Sequence, residues 1–192
     1  MKKALICLLS VLMLLSFVGC SVEESSPEAY GDWKQYHTAP SFLPESIEEY
    51  TVNDYSYTLY NYMDTCYEIY LDITVDKQQF DYLLEAAKHC SEIYEEDNEF
   101  GFSGGYTEID SVFSKGYKEI VFTNEYERGE TDSHDNQEQV WLANINKVIY
   151  NPETLNIIYV SFCAEDAGVH DVEKIAYFNR FSITPSEYVE SL

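Results

Sequence analysis

The fold is predicted from residues 53–80, which read NDYSYTLYNYMDTCYEIYLDITVDKQQF. Apolar and polar side chains alternate there with a period of two, which is typical of strands with one buried face. The apolar rows hold Tyr55, Tyr57, Leu59 and Met63 in the first half and Tyr67, Ile69, Leu71, Ile73 and Val75 in the second. With Met63-Asp64-Thr65 as a three-residue loop, Leu59 is expected opposite Ile69, and both rows share one face of a hairpin.

A helix is predicted to follow the hairpin directly, over about residues 76–92. Asp76 and Gln79 have the spacing of a capping box, and Val75 and Phe80 that of a hydrophobic staple. An apolar stripe at helical spacing comprises Phe80, Leu83, Leu84, Ala87 and Cys90. We therefore expect one principal helix packed on the apolar face of the hairpin, with Cys90 as a small buried apolar residue.

More strands are predicted in the second half of the chain. Residues 117–126 have strand character, and 145–150 and 155–163 form a hairpin around the turn signal Asn151-Pro152. Apolar residues occur at both odd and even positions of that hairpin, so its strands should be central and covered on both faces. Residues 174–183 are expected to add a last strand. The predicted class is α+β, with an antiparallel sheet of about five to six strands and one principal helix on one face.

The amino-terminal residues have the pattern of an export signal. Lys2 and Lys3 precede an apolar run over residues 4–18, which is shorter than the roughly 20 residues a membrane-spanning helix needs. The run ends in Phe17-Val18-Gly19-Cys20, which resembles the lipobox of bacterial lipoproteins although Phe17 replaces the usual leucine. An ordinary secretory signal and a cytosolic protein with an apolar amino terminus are the alternatives, and a cysteine directly after a small residue argues against both.

The resemblance to lipoproteins implies a location and a domain organisation. Residues 1–19 would be removed, and Cys20 would carry a diacylglycerol that anchors the chain to the outer, extracytoplasmic face of the cell membrane. Residues 20–41 contain Pro27, Gly31 and Pro40 with little apolar periodicity and are expected to be a flexible tether. Residues 42–192 would then form a single globular α+β domain.

Charge and cysteine content exclude several classes of protein. The formal net charge is −24, and the loss of Lys2 and Lys3 with the leader would take it to −26. Nucleic acid is therefore not an expected partner, whereas the acidity serves either solubility or a cation-dependent or cationic partner. Cys66, Cys90 and Cys163 would remain as thiols; their number is odd and their spacing fits no zinc site, so at most one disulfide is expected.

A ligand surface is predicted on the outer face of the first hairpin. That face would hold Tyr60, Tyr62, Glu68, Tyr70 and Asp72. Aromatic rings that stack on a sugar and carboxylates that accept hydrogen bonds from its hydroxyls suit a glycan-binding surface. The alternative is structural, because tyrosine favours strands and another element can cover the face.

No catalytic residue, metal site or cofactor is predicted, since the sequence has no phosphate-binding loop, nucleophile elbow or HExxH pair. His134-Asp135 and His170-Asp171 are weak candidates for an acid–base or metal site, and Asp132, Asn136 and Glu138 are weak candidates for a calcium site. The preferred hypothesis is a non-catalytic accessory lipoprotein that binds a glycan or a protein. A carbohydrate hydrolase using Glu68 and Asp72 is an alternative, but four strand positions separate these carboxylates by about 13 Å, which is too far. A structural subunit of an envelope assembly is the third hypothesis.

Overall fold

The computed structural model describes residues 21–35, 42–61, 65–93, 106–111, 114–128, 140–164 and 180–182. Within them are seven strands and one fully described α-helix, together with short 3-10 turns at Pro27–Ala29 and Asp32–Gln35. The strands are β1 (Ser21–Glu24), β2 (Thr51–Asn61), β3 (Thr65–Thr74), β4 (Thr107–Asp110), β5 (Lys118–Arg128), β6 (Val140–Asn151) and β7 (Asn156–Ala164), and the helix is α1 (Lys77–Ile93).

All seven strands belong to one antiparallel sheet in the order β1-β2-β3-β7-β6-β5-β4. A fold that is mostly antiparallel sheet with few helices is confirmed, but the expected count of five to six strands is too low. The additional strands are the short edges β1 and β4, each of four residues. All four residues of β4 are exposed, so no alternation of buried and exposed positions marks it in the sequence.

The register of the β2–β3 hairpin differs from the expected one by two residues. Tyr57, not Leu59, lies opposite Ile69, and the hairpin closes at the Asn61–Thr65 pair. Because the difference is an even number, every residue keeps the face predicted for it. The row that includes Tyr55, Tyr57, Leu59, Ile69, Leu71 and Ile73 is buried in the core, as expected.

Helix α1 begins as predicted. The backbone N–H of Gln79 donates to Asp76 Oδ1 at 2.8 Å, and the backbone N–H of Asp76 donates to Gln79 Oε1 at 3.3 Å. These two bonds complete the capping box. The stripe from Phe80 to Ala87 is buried against the sheet, and Cys90 is partly buried at its end.

The β6–β7 hairpin is central and buried on both faces, as its sequence predicts. Asn151 Oδ1 accepts hydrogen bonds from the backbone N–H groups of Glu153 and Thr154, at 2.9 and 3.3 Å, which form the turn. On the face that carries α1 lie Val148 and Tyr159, while Ile149 and Ile158 lie on the opposite face. All four side chains are buried.

The flexible tether predicted for residues 20–41 is wrong for the part described here, residues 21–35. β1 pairs with β2 from Ser21 opposite Tyr60 to Glu24 opposite Tyr57. Trp33 is only 3% exposed and contacts the ring of Tyr30 at 6.3 Å. A four-residue strand is too short to show a period, and the burial of Trp33 depends on partners far along the sequence, so neither was visible as local signal.

Most of the strand expected over residues 174–183 lies outside the described residues, and in the described part Arg180 and Phe181 are helical, not extended. No helix in the described ranges combines the length and the apolarity needed to cross a bilayer.

Candidate functional site

The tyrosine face predicted on the first hairpin is covered where the structure describes it. Glu68 and Tyr70 are each only 2% exposed, and Asp72 is partly buried. Tyr60 belongs to β2 opposite Cys66, but its side chain and the whole of Tyr62 lie outside the described residues. Burial of Glu68 and Tyr70 removes them from any surface on which a glycan could stack.

Arg180 occupies the position that a ligand would have needed. Its guanidinium lies 4.0 Å from the centre of the Tyr70 ring, donates to Asp54 and reaches Ser56 Oγ at 3.4 Å. The hydrogen bond from Arg180 lowers the pKa of the Asp54 carboxyl. The carboxy-terminal part of the chain therefore contributes a cation to this face, and the contact is a structural one.

Asp72 is likewise engaged by the fold. Its Oδ1 accepts hydrogen bonds from the side-chain amides of Asn53 at 2.7 Å and Asn156 at 2.6 Å. Asn156 also donates to the backbone carbonyl of Ile73 at 2.9 Å. These hydrogen bonds join the ends of β2, β3 and β7, so Asp72 holds neighbouring strands together.

Two adjoining cavities lie on the same side of the sheet as α1, and we name them together the Glu-Tyr cleft. One, of about 410 Å³, lies between the segment 42–50 and α1; the other, of about 650 Å³, lies between that segment and the first 3-10 turn. Both are lined by Glu45, Ser46, Glu48 and Tyr50. The first adds Glu49, Tyr82 and an apolar floor that includes Leu83, and the second adds Glu28, Tyr30 and Val52.

The wall of the cleft is held by the apolar residues of its own segment. Phe42, Leu43 and Ile47 are buried in the core, and Phe42 stacks on Phe122 with ring centres 4.8 Å apart. The hydroxyl of Tyr30 donates to the backbone carbonyl of Pro44 at 2.7 Å, which ties the wall to the amino-terminal turn. With these residues turned inward, the intervening glutamates are left exposed at the rim.

The residues that line the cleft carry only acidic ionisable groups, and one cation from outside the lining, Lys34, donates to the backbone carbonyl of Glu45 at 3.3 Å. Among the described lining residues every ionisable side chain is a carboxylate or a phenol: Glu28, Glu45, Glu48, Glu49, Tyr30, Tyr50 and Tyr82. Burial raises the pKa of Tyr50, and the neighbouring Glu49 and Tyr82 raise it further. Tyr82 is 70% exposed, so one aromatic ring is presented to solvent beside this negative charge.

A group of buried phenols lies beneath the cleft. Burial raises the pKa of Tyr159, with additional contributions from Tyr30 and Tyr50, and burial together with Tyr55 raises the pKa of Tyr30. Within the described part of the chain, the hydroxyls of Tyr55 and Tyr159 have no hydrogen-bond partner. Buried hydroxyls without partners are uncommon, so these two hydroxyls next to the cleft could still donate or accept a hydrogen bond.

A second charged cluster lies on the opposite face of the sheet. Lys147 Nζ is 2.9 Å from Glu119 Oε2, and the hydroxyl of Ser111 donates to Glu119 Oε1 at 2.6 Å. Burial lowers the pKa of Lys147, while the adjacent Glu119 opposes that shift. The lysine side chain is 1% exposed and lines neither cavity of the cleft, so its place is that of an internal ion pair linking β5 to β6.

No group of three or more potential metal ligands is present among the described residues. The candidate ligands Asp132, Asn136 and Glu138, as well as His134-Asp135 and His170-Asp171, lie outside that part of the chain. Cys90 is half-buried and packs against the core, consistent with its predicted role as a small apolar residue.

Sequence reasoning missed the Glu-Tyr cleft. Its signal is present in the segment FLPESIEEY, residues 42–50, where apolar residues alternate irregularly with glutamate. Comparison of the chain with known protein families, with curated proteins and with solved structures finds no match. The function is therefore inferred from the residues and contacts described above.

Proposed function

We propose that this chain is a lipid-anchored extracytoplasmic protein that binds a basic segment of another envelope protein in the Glu-Tyr cleft, without catalysing a reaction. The observation that carries this proposal is the lining of the cleft, in which carboxylates and tyrosine rings occur without a single lysine or arginine. A lysine or arginine of the partner would meet opposite charge at the rim and an exposed ring at Tyr82.

The charge of the whole chain supports the same ligand class. With a formal net charge of −24, the chain attracts basic segments over long range and repels acidic ones. The apolar floor, which includes Leu83 and Ala86, would receive the aliphatic stems of such side chains. A negatively charged glycan or lipid headgroup would be repelled by the same rim.

A neutral glycan is the second candidate for the same cleft. Tyr82 and Tyr50 offer rings for stacking, and the glutamates offer acceptors for sugar hydroxyls. A hydrolase using Glu68 and Asp72 is a weaker proposal, because Glu68 is buried and Asp72 accepts two amide hydrogen bonds. A purely structural subunit would use the cleft as an assembly contact, which the same binding experiment would detect.

Binding can be tested with the purified full-length protein in detergent. The probes are an octalysine peptide and neutral cell-wall oligosaccharides, and the readout is calorimetry at low and high salt. The cleft variant combines Glu45→Gln, Glu48→Gln and Glu49→Gln. The control removes three exposed carboxylates that do not line the cleft, through Asp81→Asn, Glu85→Gln and Glu153→Gln.

We expect octalysine to bind, and the cleft variant to bind it about tenfold more weakly at low salt, from roughly 0.5 kcal/mol per exposed carboxylate. The control variant should change the affinity by less than about threefold, since its carboxylates do not line the cleft. Equal losses of affinity in both variants would mean that octalysine is attracted by the overall charge of the protein. That result would overturn the proposed site. Binding of oligosaccharide that is insensitive to salt and lost on Tyr82→Ala would establish the second candidate instead.

The lipid anchor has its own test. Mass spectrometry of protein recovered from bacterial membranes should give an amino-terminal Cys20 that carries diacylglycerol, and Cys20→Ala should release the chain or leave the leader attached. An intact leader with an unmodified thiol at Cys20 in the unmutated protein would exclude lipid anchoring.

A further inference from the structure

The proposed lipid site and the first strand of the sheet are consecutive residues. Cys20 precedes Ser21, which is the first residue of β1 and pairs with Tyr60 near the end of β2. One peptide unit spans about 3.8 Å between successive Cα atoms, so no linker separates the anchor from the sheet. We name the adjacent end of the sheet, where β2 ends at Asn61 and β3 begins at Thr65, the hairpin end.

We propose that the hairpin end rests against the membrane and that the Glu-Tyr cleft faces away from it. This inference depends on lipidation of Cys20, which belongs to the proposed function. Lipidation holds Cys20 at the level of the headgroups, and pairing of β1 then brings the end of β2 there as well. The hairpin end is thus a second interaction surface of this chain, which contacts the membrane and is separate from the Glu-Tyr cleft.

The length of β2 sets the greatest height that the cleft can have above the membrane. Val52 lines the cleft, whereas Tyr60 lies opposite Ser21, and eight residues separate these two positions. At about 3.3 Å per residue of strand, the separation is about 26 Å. A ligand in the cleft would therefore approach from the side away from the bilayer, which suits a partner in the envelope rather than a lipid.

The orientation is constrained because β1 is held along its whole length. All four of its residues pair with β2, and Val22 packs against the hydrophobic core. A flexible tether of about 20 residues would instead allow a displacement of roughly 25 Å and let the domain rotate freely. Pairing of β1 replaces that freedom with one preferred end toward the membrane.

The orientation can be measured by energy transfer in vesicles. The full-length lipidated protein is reconstituted into phosphatidylcholine vesicles whose headgroups carry an acceptor dye, and a donor is attached through an unnatural amino acid at position 23 or 48. Glu23 lies in β1 and Glu48 lines the cleft, and both are exposed. A comparison chain has a 20-residue Gly-Ser linker inserted between Cys20 and Ser21.

We expect stronger transfer from position 23 than from position 48, corresponding to a difference in height of up to about 20 Å. The inserted linker should remove most of this difference while circular dichroism stays unchanged. Equal transfer from both positions in the chain without the linker would overturn the orientation but leave the anchor standing. Absence of transfer from both positions, with the protein free in solution, would overturn the lipid anchor and the orientation with it.

Discussion

Lys147 and Glu119 place opposite charges in the dry interior of the sheet, where neither can be hydrated. Such a pair gains little over well-packed apolar residues, but removal of one partner takes the neighbouring opposite charge away from the buried group that remains. The hydroxyl of Ser111 satisfies the second oxygen of Glu119. The cluster is therefore a point at which single and double substitutions should have very different effects.

We predict that Lys147→Met alone, or Glu119→Leu alone, lowers the free energy of unfolding by about 3–5 kcal/mol. The double variant should be more stable than either single variant, since it removes both charges of the pair. Urea unfolding followed by circular dichroism measures all three. Ser111→Ala is a milder control, with an expected cost of about 1 kcal/mol. Additive effects of the two single substitutions would refute the internal ion pair.

Glu68 and Tyr70 show what the alternation of apolar and polar residues can and cannot predict. Period-two spacing correctly assigned Glu68 and Tyr70 to the face opposite α1, but that face is not exposed to solvent at these positions. Arg180 covers Tyr70, and it lies 110 positions farther along the sequence. A local pattern gives the face of a residue and carries no information on which distant residue will cover it.

At the scale of the element, α1 allows capping to be compared with packing. We predict that Asp76→Ala lowers the free energy of unfolding by about 1 kcal/mol, because the N–H of Gln79 loses its acceptor. Phe80→Ala should cost about 3–5 kcal/mol, because a buried ring is removed from the core. Chemical denaturation of both variants tests the order. Asp81→Ala, which breaks only an exposed pair with Lys77, serves as the control and should cost less than about 0.5 kcal/mol.

Strand pairing also predicts the state of two cysteines. Cys66 lies opposite Ala164, and Cys163 lies opposite Tyr67, so positions 66 and 163 belong to opposite faces of the sheet. A disulfide needs both Cβ atoms within about 4.5 Å and directed toward each other. We therefore predict that Cys66 and Cys163 do not form a disulfide with each other. Alkylation of the unreduced protein, followed by peptide mass spectrometry, should label both, and a linked peptide pair would contradict the register.

Sequence patterns identified the long elements well and the short ones poorly. The β2–β3 hairpin, α1 and the β6–β7 hairpin each carry enough alternating or helical positions to be recognised. β1 and β4, with four residues each, do not, and their existence depends on a neighbouring edge. The Glu-Tyr cleft was missed for the same reason, since it arises only when residues 42–50 meet α1 and the amino-terminal turn.

The whole molecule should respond to alkali through its buried tyrosines. Burial raises the pKa of Tyr30, Tyr55, Tyr70 and Tyr159 above the ordinary value of 10.0. A phenol whose folded pKa lies above its unfolded pKa contributes stability in full below that ordinary value. The contribution is lost as pH rises from there through the folded pKa. We therefore predict that stability falls steeply above about pH 10.

Parallel titration by absorbance at 295 nm and by circular dichroism can test this prediction. Of the 18 tyrosines, some should ionise while the dichroism is still native, and the buried group should ionise only together with unfolding. Ionisation of all tyrosines in one step, with the dichroism unchanged, would show that the phenols beneath the cleft are accessible to hydroxide. That result would also contradict the packing of residues 42–50 over the sheet.

The pairing of β3 with β7 has a consequence for synthesis. Tyr70 lies opposite Val160, a residue added 90 positions later. Until the ribosome has passed that point, β3 has a bare edge and the two halves of the sheet cannot join, which favours adhesion to other unfinished chains. Long-range pairing of this kind also slows folding. A polypeptide terminated before Asn156 should consequently depend on a chaperone to stay dispersed, however complete its first hairpin and helix are.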